Sequence, residues 1–375
     1  MILLKSFDEQ NNFNNAIVPL SLNIDKLIFV YHHQIDRSKF EYCTKVINKY
    51  KDIEIHFTKV DEQSIRQYFS NETIVDVSAN KYLSLVLCEM ALKRNNRIIY
   101  FDEEEKCIKD YRKHEVLTSK IFNFQIEDII TLNGGRIISS MHNPVKNRET
   151  IELIYKTIEY SKNNYSNFIS FVSKINNLIN YLDHKDNDYY LDETTIKKIT
   201  SDENYRYFKD LNLFTIKNNT LSFFNNDIRR IFMVSGTFLE NYIYNKLVDS
   251  KLFDDVLMSC NIEFSRTQNL SVRCELDCLV IKDNCLLFTS IKSNKVDPSD
   301  LNEIKVHNVM FGNEYSKPVI CLYSELSENR PLVYANGEEL GIYIIEKNDF
   351  ENDVANRFLE IINNSYQYNN GIWQR

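Results

Sequence analysis

Between Lys26 and Asp102 short apolar runs alternate with longer amphipathic ones. KLIFVYHH (26–33), IEIHFTKV (53–60), TIVDVS (73–78) and RIIYFD (97–102) are strand-length stretches rich in β-branched and aromatic residues. Between them SKFEYCTKVINKY, a shorter EQSIRQYF and a run over about Lys81–Lys93 carry helical spacing. MILLK adds a strand at the start, followed by a polar loop and a short apolar helix. Strands separated by helices predict a parallel sheet with helices on both faces.

Residues 150–232 have another texture. ETIELIYKTIEYSKNNYSNFISFVSKINNLINYL repeats its apolar positions every three or four residues and predicts helix. The following TSDENYRYFKDLNLFTIKNNTLSFFNNDIRRIF predicts a helix and a short strand pair turning at Lys217-Asn218-Asn219, which suits a winged-helix connector. Arg229-Arg230 would fit a phosphate contact. The segment is not notably basic, however, and reads as a rigid spacer rather than a nucleic-acid reader.

The densest chemistry lies in RCELDCLVIKDNCLLFTSIKSN (273–294), two alternating runs around Lys282-Asp283-Asn284-Cys285 that predict an antiparallel hairpin. With Asp283-Asn284 as a two-residue turn, Asp277 falls opposite Ser290 and Glu275 opposite Lys292. Such partners share a face with Cβ atoms about 5 Å apart, and the period of two joins both pairs on one face. Two carboxylates, a hydroxyl and a lysine on one spot of a sheet suit a metal-dependent phosphodiesterase. The acids can hold Mg²⁺ or Mn²⁺ through oxygen, and the lysine can stabilise an activated water or the charge on phosphorus. The competing reading is an edge hairpin with solvated charges. His307, Lys305 and Asn308 follow on a predicted helix.

Composition narrows the classes. The chain has 375 residues, 43% hydrophobic and 26% charged, ordinary for a globular protein with room for two or three domains. A net charge of −8 argues against a large standing grip on nucleic acid while permitting a local basic channel. No apolar run is long enough to span a bilayer, and MILLKSFDEQNN lacks the pattern of a secretory signal, so a cytoplasmic protein with no membrane partner is expected. Eight cysteines without a CxxC pair read as buried free thiols.

In parallel sheets ligands gather at the carboxyl ends of strands, beside helix N-termini. Two segments occupy that place: Ser6-Phe7-Asp8-Glu9-Gln10-Asn11-Asn12, and Asp76-Val77-Ser78-Ala79-Asn80-Lys81-Tyr82. Ser78, Asn80 and Lys81 suit a phosphate, although Ser78 serves equally as a plain helix cap. No GxGxxG or Walker sequence is present, which argues against a dinucleotide or nucleoside-triphosphate enzyme. His32-His33 ends a strand, and alternation lets one of the two at most face such a pocket.

Taken together, these segments resemble a known pairing: a CARF domain, the Rossmann-like sensor of cyclic oligoadenylates in type III CRISPR systems, fused to a PD-(D/E)xK nuclease domain. Asp76–Tyr82 stands in register with the CARF pattern N-L-T-G-G-T-K, degenerate at both glycines and at the final Thr-Lys. The opening ILLKSFDEQNNFNNAIVPLSLNIDKLIFVYHH and IEDIITLNGGRI (126–137) resemble the start and close of that domain. SGTFLENYIYNKL (235–247), the ELD hairpin, SIKS, EIKVHNVMFGNEYSKPVICLYSEL (303–326) and GIYIIEKNDF (341–350) follow the order of the nuclease motifs.

The resemblance implies an α/β chain divided as a CARF sensor at 1–148, a helical or winged connector at 149–232 and a restriction-endonuclease-like mixed-sheet domain at 233–375. It assigns Asp277 as the metal-binding aspartate, Lys292 as the motif lysine and Glu240 as the glutamate of the first nuclease helix. Ser290 stands where many members carry a second acid, and Glu275 can compensate. Catalytic positions are thus Asp277, Lys292, Glu240, Ser290 and Glu275, with Asp277, Glu240 and Glu275 holding Mn²⁺ or Mg²⁺. Ser6, Asp8, Gln10, Ser78, Ala79, Asn80 and Lys81 are the expected contacts to the cyclic oligoadenylate, taken as cyclic tetra-adenylate. Arg273, Lys295 and Lys305 are expected to attract the substrate backbone. The implied activity is cleavage of single-stranded RNA or DNA, or nicking of duplex DNA, by a ligand-gated homodimer in antiviral defence. The alternative is a catalytically weak or inactive sensor that regulates nucleic-acid or partner binding. A small-molecule enzyme ranks third, for want of a nucleotide fingerprint.

Overall fold

The computed structural model describes residues 1–8, 11–32, 36–79, 81–140, 144–163, 165–182, 184–234, 236–267, 270–293, 296–312, 315–323, 330–364, 367–369 and 372–374. Gln10, His33, Asn80 and Lys295 lie outside the described residues. The chain forms two compact units. The first is Met1–Ile137 with Glu263–Arg273 and Met310–Glu314; the second is Ile138–Ile262, Cys274–Val309 and Tyr315–Arg375.

In chain order the first unit contains β1 (Ile2–Ser6), α1 (Asn12–Ser21), β2 (Lys26–Tyr31), α2 (Arg37–Tyr50), β3 (Glu54–Lys59) and α3 (Glu62–Arg66). It continues with β4 (Thr73–Asp76), α4 (Lys81–Lys93), β5 (Arg97–Asp102), β6 (Cys107–Asp110), β7 (Val116–Thr118), α5 (Ile126–Leu132) and the start of β8 (Gly135–Ser140). The seven-stranded sheet runs β3-β2-β1-β4-β5-β6-β7. Its first five strands are parallel, as the alternation of strands and helices predicts. Leu3 and Leu4 of β1, and Leu27 to Val30 of β2, are fully buried, because central parallel strands are covered on both faces. β6 and β7 pair antiparallel and were not foreseen. They are four and three residues long, too short for a periodicity to show.

The second unit holds α6 (Arg148–Ser161), α7 (Tyr165–Ile179), β9 (His184–Lys185), β10 (Asp188–Tyr190), α8 (Glu193–Thr200), α9 (Glu203–Asp210), β11 (Phe214–Lys217) and β12 (Thr220–Phe223). From α7 to β12 the order is that of a winged helix, with the small sheet ordered β11-β12-β10-β9. Asn218 and Asn219 take positive φ at the wing turn, where asparagine tolerates the left-handed region. There follow α10 (Asn226–Met233), α11 (Thr237–Ser250), β13 (Asp255–Thr267), β14 (Leu270–Lys282), β15 (Cys285–Lys292), α12 (Pro298–Phe311), β16 (Lys317–Leu322), α13 (Arg330–Leu340), β17 (Tyr343–Glu346), α14 (Lys347–Asn352) and α15 (Val354–Asn363). Residues 263–267 of β13, 270–273 of β14 and 310–311 of α12 belong to the first unit. The larger sheet is ordered β17-β16-β15-β14-β13-β8. β14 and β15 are antiparallel, and β15 to β17 parallel.

The connector expected at 149–232 is not a separate body. One hydrophobic cluster runs from Val145 through Phe171 and Phe232 to Phe238, Val280 and Ile361. Aromatic side chains join its parts: Phe168 and Phe232 each lie 5.4 Å from Phe238 of α11, and Tyr165 lies 4.6 Å from Tyr323. A shared apolar core, rather than a linker, attaches the winged segment to the nuclease-like sheet. Among the described residues no helix is long and apolar enough to cross a membrane. All eight cysteines are free thiols, six of them buried.

Candidate active site and ligand face

Asp283 and Asn284 form a two-residue turn, both at positive φ, as a tight hairpin requires. Pairing Lys282 with Cys285 carries the register to Cys278 opposite Thr289, as the sequence pattern predicts. Asp254 secures the turn, taking the Asp283 N–H at 2.8 Å and pairing with Lys282 at 2.9 Å. Beyond Cys278 a side chain enters the ladder. Asp277 Oδ2 accepts the Ile291 N–H at 2.6 Å and the Ser290 hydroxyl at 3.4 Å.

This end of the hairpin opens into a cavity of about 190 Å³. Glu275, Asp277, Ser290 and Lys292 line one wall, and Asp300, Glu303 and His307 of α12 line the other. The four hairpin residues therefore come together as predicted. Burial pushes the Asp277 carboxyl up, opposed by the Ile291 N–H and the Lys292 charge. Lys292 pairs with Asp300 at 2.9 Å. Burial works against its charge, yet Asp300, then Asp277 and Glu303, hold its pKa above the usual lysine value. His307 is half-buried, and that burial lowers its pKa.

Glu240 sits in the first turn of α11. The helix starts at Gly236, whose φ of 100° is open to glycine and strained for other residues. Asn241 is fully buried and fixes this turn, bonding the Val145 N–H at 3.0 Å and the Thr237 carbonyl at 2.8 Å. Glu240 accepts the Ser259 hydroxyl at 3.2 Å. Burial, helped by the negative charges of Asp277 and Glu275, pushes its carboxyl up to about 8. It is not part of the cavity wall, and among the described residues no three His, Cys, Asp or Glu side chains form a ready-made metal cluster. The trio Glu240, Glu275 and Asp277 is thus not assembled as a closed ligand set. Asp277 is engaged by the β15 backbone, Glu240 by Ser259, and Glu275 stands exposed.

Of the expected substrate-backbone residues, Arg273 belongs to the first unit and pairs there with Glu263 at 3.4 Å. Lys305 is half-buried on α12, outside the cavity wall. Asp300 and Glu303 went unnoticed in the sequence: the loop between Lys292 and α12 hides which face of the helix meets the strand.

In the first unit Ser6 ends β1 and Asp8 lies just beyond it, and Ser78, Ala79 and Lys81 follow β4, its hydrogen-bonded neighbour. Ser6 is fully buried and its hydroxyl meets that of Ser84 at 2.9 Å. The Asp8 peptide is pinned on both sides by Asn15, at 2.8 and 2.7 Å. Ser78 is bound by its N–H to Asp76 at 2.9 Å and accepts the Phe101 N–H at 2.7 Å. Asp76 is itself fully buried in an ion pair with Lys5, an anchor beneath the loop that strand hydropathy did not suggest. Lys81 is exposed, and the ring of Tyr82 meets that of His32 edge-on at 5.6 Å.

Comparison with known proteins bears on both units. Residues 227–306 match the Card1-like endonuclease domain family. That segment contains Glu240, Asp277, Ser290, Lys292 and Asp300. Protein VC1899 from Vibrio cholerae superposes with a TM-score of 0.75 at 15% identity, over 96% of this chain and 98% of that one. Can2 from Sulfobacillus thermosulfidooxidans, solved in complex with cyclic tetra-adenylate, superposes with a TM-score of 0.71 at 14% identity, over 97% and 99%. The whole chain therefore shares the fold of these proteins. No curated protein matches it.

Proposed function

We propose that the protein is a cyclic-oligoadenylate-gated, metal-dependent endonuclease of CRISPR antiviral defence. The observation that carries this reading is the cavity where Asp277 and Lys292 meet inside the segment matching the Card1-like endonuclease domain. Its donors suit a divalent cation such as Mn²⁺ or Mg²⁺: carboxylate and hydroxyl oxygens with one imidazole, His307, and no thiolate on the wall. Mg²⁺ commonly uses one or two carboxylates and keeps several waters, so a closed cluster is not required. Asp277 and Glu275 would hold the cation, and Glu240, outside the cavity wall, would hold one of the cation's waters once ionised. When bound, the cation supplies charge neutralisation on the scissile phosphate and a more acidic water.

The chain's own groups do the rest. The Ile291 N–H orients the Asp277 carboxylate. The Lys292 ammonium stabilises negative charge building on the phosphate oxygens, an effect strengthened in a partly desolvated cavity. Single-stranded RNA or DNA is the proposed substrate, with Arg273, Lys295 and Lys305 drawing in its backbone. Residues 1–148 form the proposed sensor, in which Ser6, Asp8, Gln10, Ser78, Ala79, Asn80 and Lys81 contact the activator. Two copies would bind one cyclic tetra-adenylate, since a symmetric ligand suits a two-fold interface. Can2, of the same fold, was solved with that molecule.

The test is cleavage of single-stranded RNA, single-stranded DNA and supercoiled plasmid with Mn²⁺ or Mg²⁺, with and without cyclic tetra-adenylate. Cleavage is expected to need the activator and to vanish in Lys292→Ala while activator binding persists. Activator binding without cleavage of any substrate would favour the non-catalytic sensor, for which Ser290 in place of an acid is the argument. No binding of any cyclic oligoadenylate would overturn the sensor assignment.

A further inference from the structure

Ser290 leaves β15 without the acid that the resembled nuclease motif carries two residues before its lysine. Its hydroxyl makes only a long contact with Asp277, at 3.4 Å, and a hydroxyl is a weaker ligand for a hard cation than a carboxylate. The opposite wall holds a carboxylate of the right kind. Asp300 stands in the first turn of α12, with its side chain 19% exposed. Its two oxygens have separate tasks. Oδ2 accepts the Asp297 N–H at 2.8 Å, while the Asp300 N–H returns to the Asp297 carbonyl at 2.9 Å. That reciprocal cap fixes the carboxylate's orientation. Oδ1 is turned into the cavity, where the Lys292 ammonium sits on it at 2.9 Å. A helix cap needs one oxygen; the second is committed to a cation in the space that Asp277 also faces.

Resting on the nuclease reading, we infer that Asp300 supplies the cation-holding carboxylate missing at Ser290, so that the acid of this site comes from α12 instead of β15. Lys292 is the protein's own cation against that carboxylate. Glu303, three residues on, and His307, four further, follow Asp300 along one helix face and extend the same wall.

The test uses full-length protein and four forms: the unaltered chain, Asp300→Asn, Ser290→Glu and the double variant. Mn²⁺ binding is read without substrate from the spin-resonance signal of free Mn²⁺, and cleavage is read with cyclic tetra-adenylate. Asp300→Asn is expected to weaken Mn²⁺ binding by at least about tenfold and to depress cleavage in parallel. Adding Ser290→Glu to it should recover much of both, because the acid returns to the strand. Asp300→Asn binding Mn²⁺ as the unaltered chain does would overturn the inference. So would activator-independent cleavage by Asp300→Asn, which would make the Asp300–Lys292 pair an inhibitory latch. Loss in Asp300→Asn that Ser290→Glu leaves unrepaired, with a lowered melting temperature, would reduce Asp300 to a helix cap. An unaltered chain that binds Mn²⁺ but cleaves nothing defeats the nuclease reading alone, since the binding comparison still decides the role of Asp300.

Discussion

Glu240 sits in an environment at odds with a carboxylate's usual chemistry. In the unfolded chain its carboxyl ionises near the ordinary glutamate value, whereas in the folded protein burial and the charges of Asp277 and Glu275 raise it to about 8. The folded state therefore holds a proton that the unfolded state gives up between those values, and stability must fall as pH rises through that window. Glu240→Gln removes the titration. In EDTA, urea unfolding should show the variant gaining on the unaltered protein as pH rises from 5 to 9, by an amount on the order of a few kcal/mol. A constant difference across that range would refute the assignment. Asp277 and Lys292 were legible in the sequence because a period of two places strand residues on one face without knowledge of the rest of the fold. Asp300 was not, because its place depends on how a helix returns over the sheet after a loop. Asp76 and Lys5 escaped for a related reason: a buried pair looks, in sequence, like two interruptions of apolar strands. Removing one partner leaves a buried charge alone, so Lys5→Met should cost about 3–5 kcal/mol, whereas Lys5→Met with Asp76→Asn, which keeps an acceptor for the Ser78 N–H, should restore part of it. Denaturant midpoints of the three proteins distinguish these outcomes.

Among the elements, the β14–β15 hairpin sets the geometry of the candidate site, because a slip of one residue would turn Asp277 and Lys292 to the opposite face. Two features hold the register: the left-handed pair Asp283-Asn284 and the Asp254 carboxylate bonded to both Lys282 and Asp283. Asp254→Ala removes two hydrogen bonds at the far end of the hairpin. It should cost about 1–3 kcal/mol, read as a lower urea midpoint with an unchanged slope. If cleavage is unaffected once the protein is folded, the turn serves stability; a lower rate at full folding would show that register is dynamic. Strands and helices of the parallel sheet were legible, β5 and α4 to the residue, since each spans enough positions for its period to declare itself. The winged segment was legible as elements but not as part of the nuclease-like core. Its inward aromatics, such as Phe168 and Phe232, carry no mark of which neighbour they will pack against.

For the molecule as a whole, the proposed two-fold binding of the activator needs a surface on which two copies meet, and α4 of the first unit is the candidate. Tyr82, Leu85 and Leu92 are 62%, 70% and 49% exposed. At spacings of three and seven residues they form a single stripe along the helix, starting beside Lys81 at the ligand face. Large apolar side chains so aligned are costly to leave in water, which makes the stripe the surface to test for the proposed dimer. Under the proposed homodimer a second copy of the chain would cover this stripe, since isologous contact suits a symmetric ligand. Leu85→Arg places a charge at the centre of the stripe, at a position exposed enough to leave the fold intact. Sedimentation equilibrium should give twice the chain mass for the unaltered protein and the single-chain mass for the variant. The variant should also bind cyclic tetra-adenylate much more weakly, since each copy then offers half of the contacts. A variant that stays dimeric would move the interface elsewhere, and a monomeric variant with unweakened activator binding would show that one sensor unit suffices for the ligand.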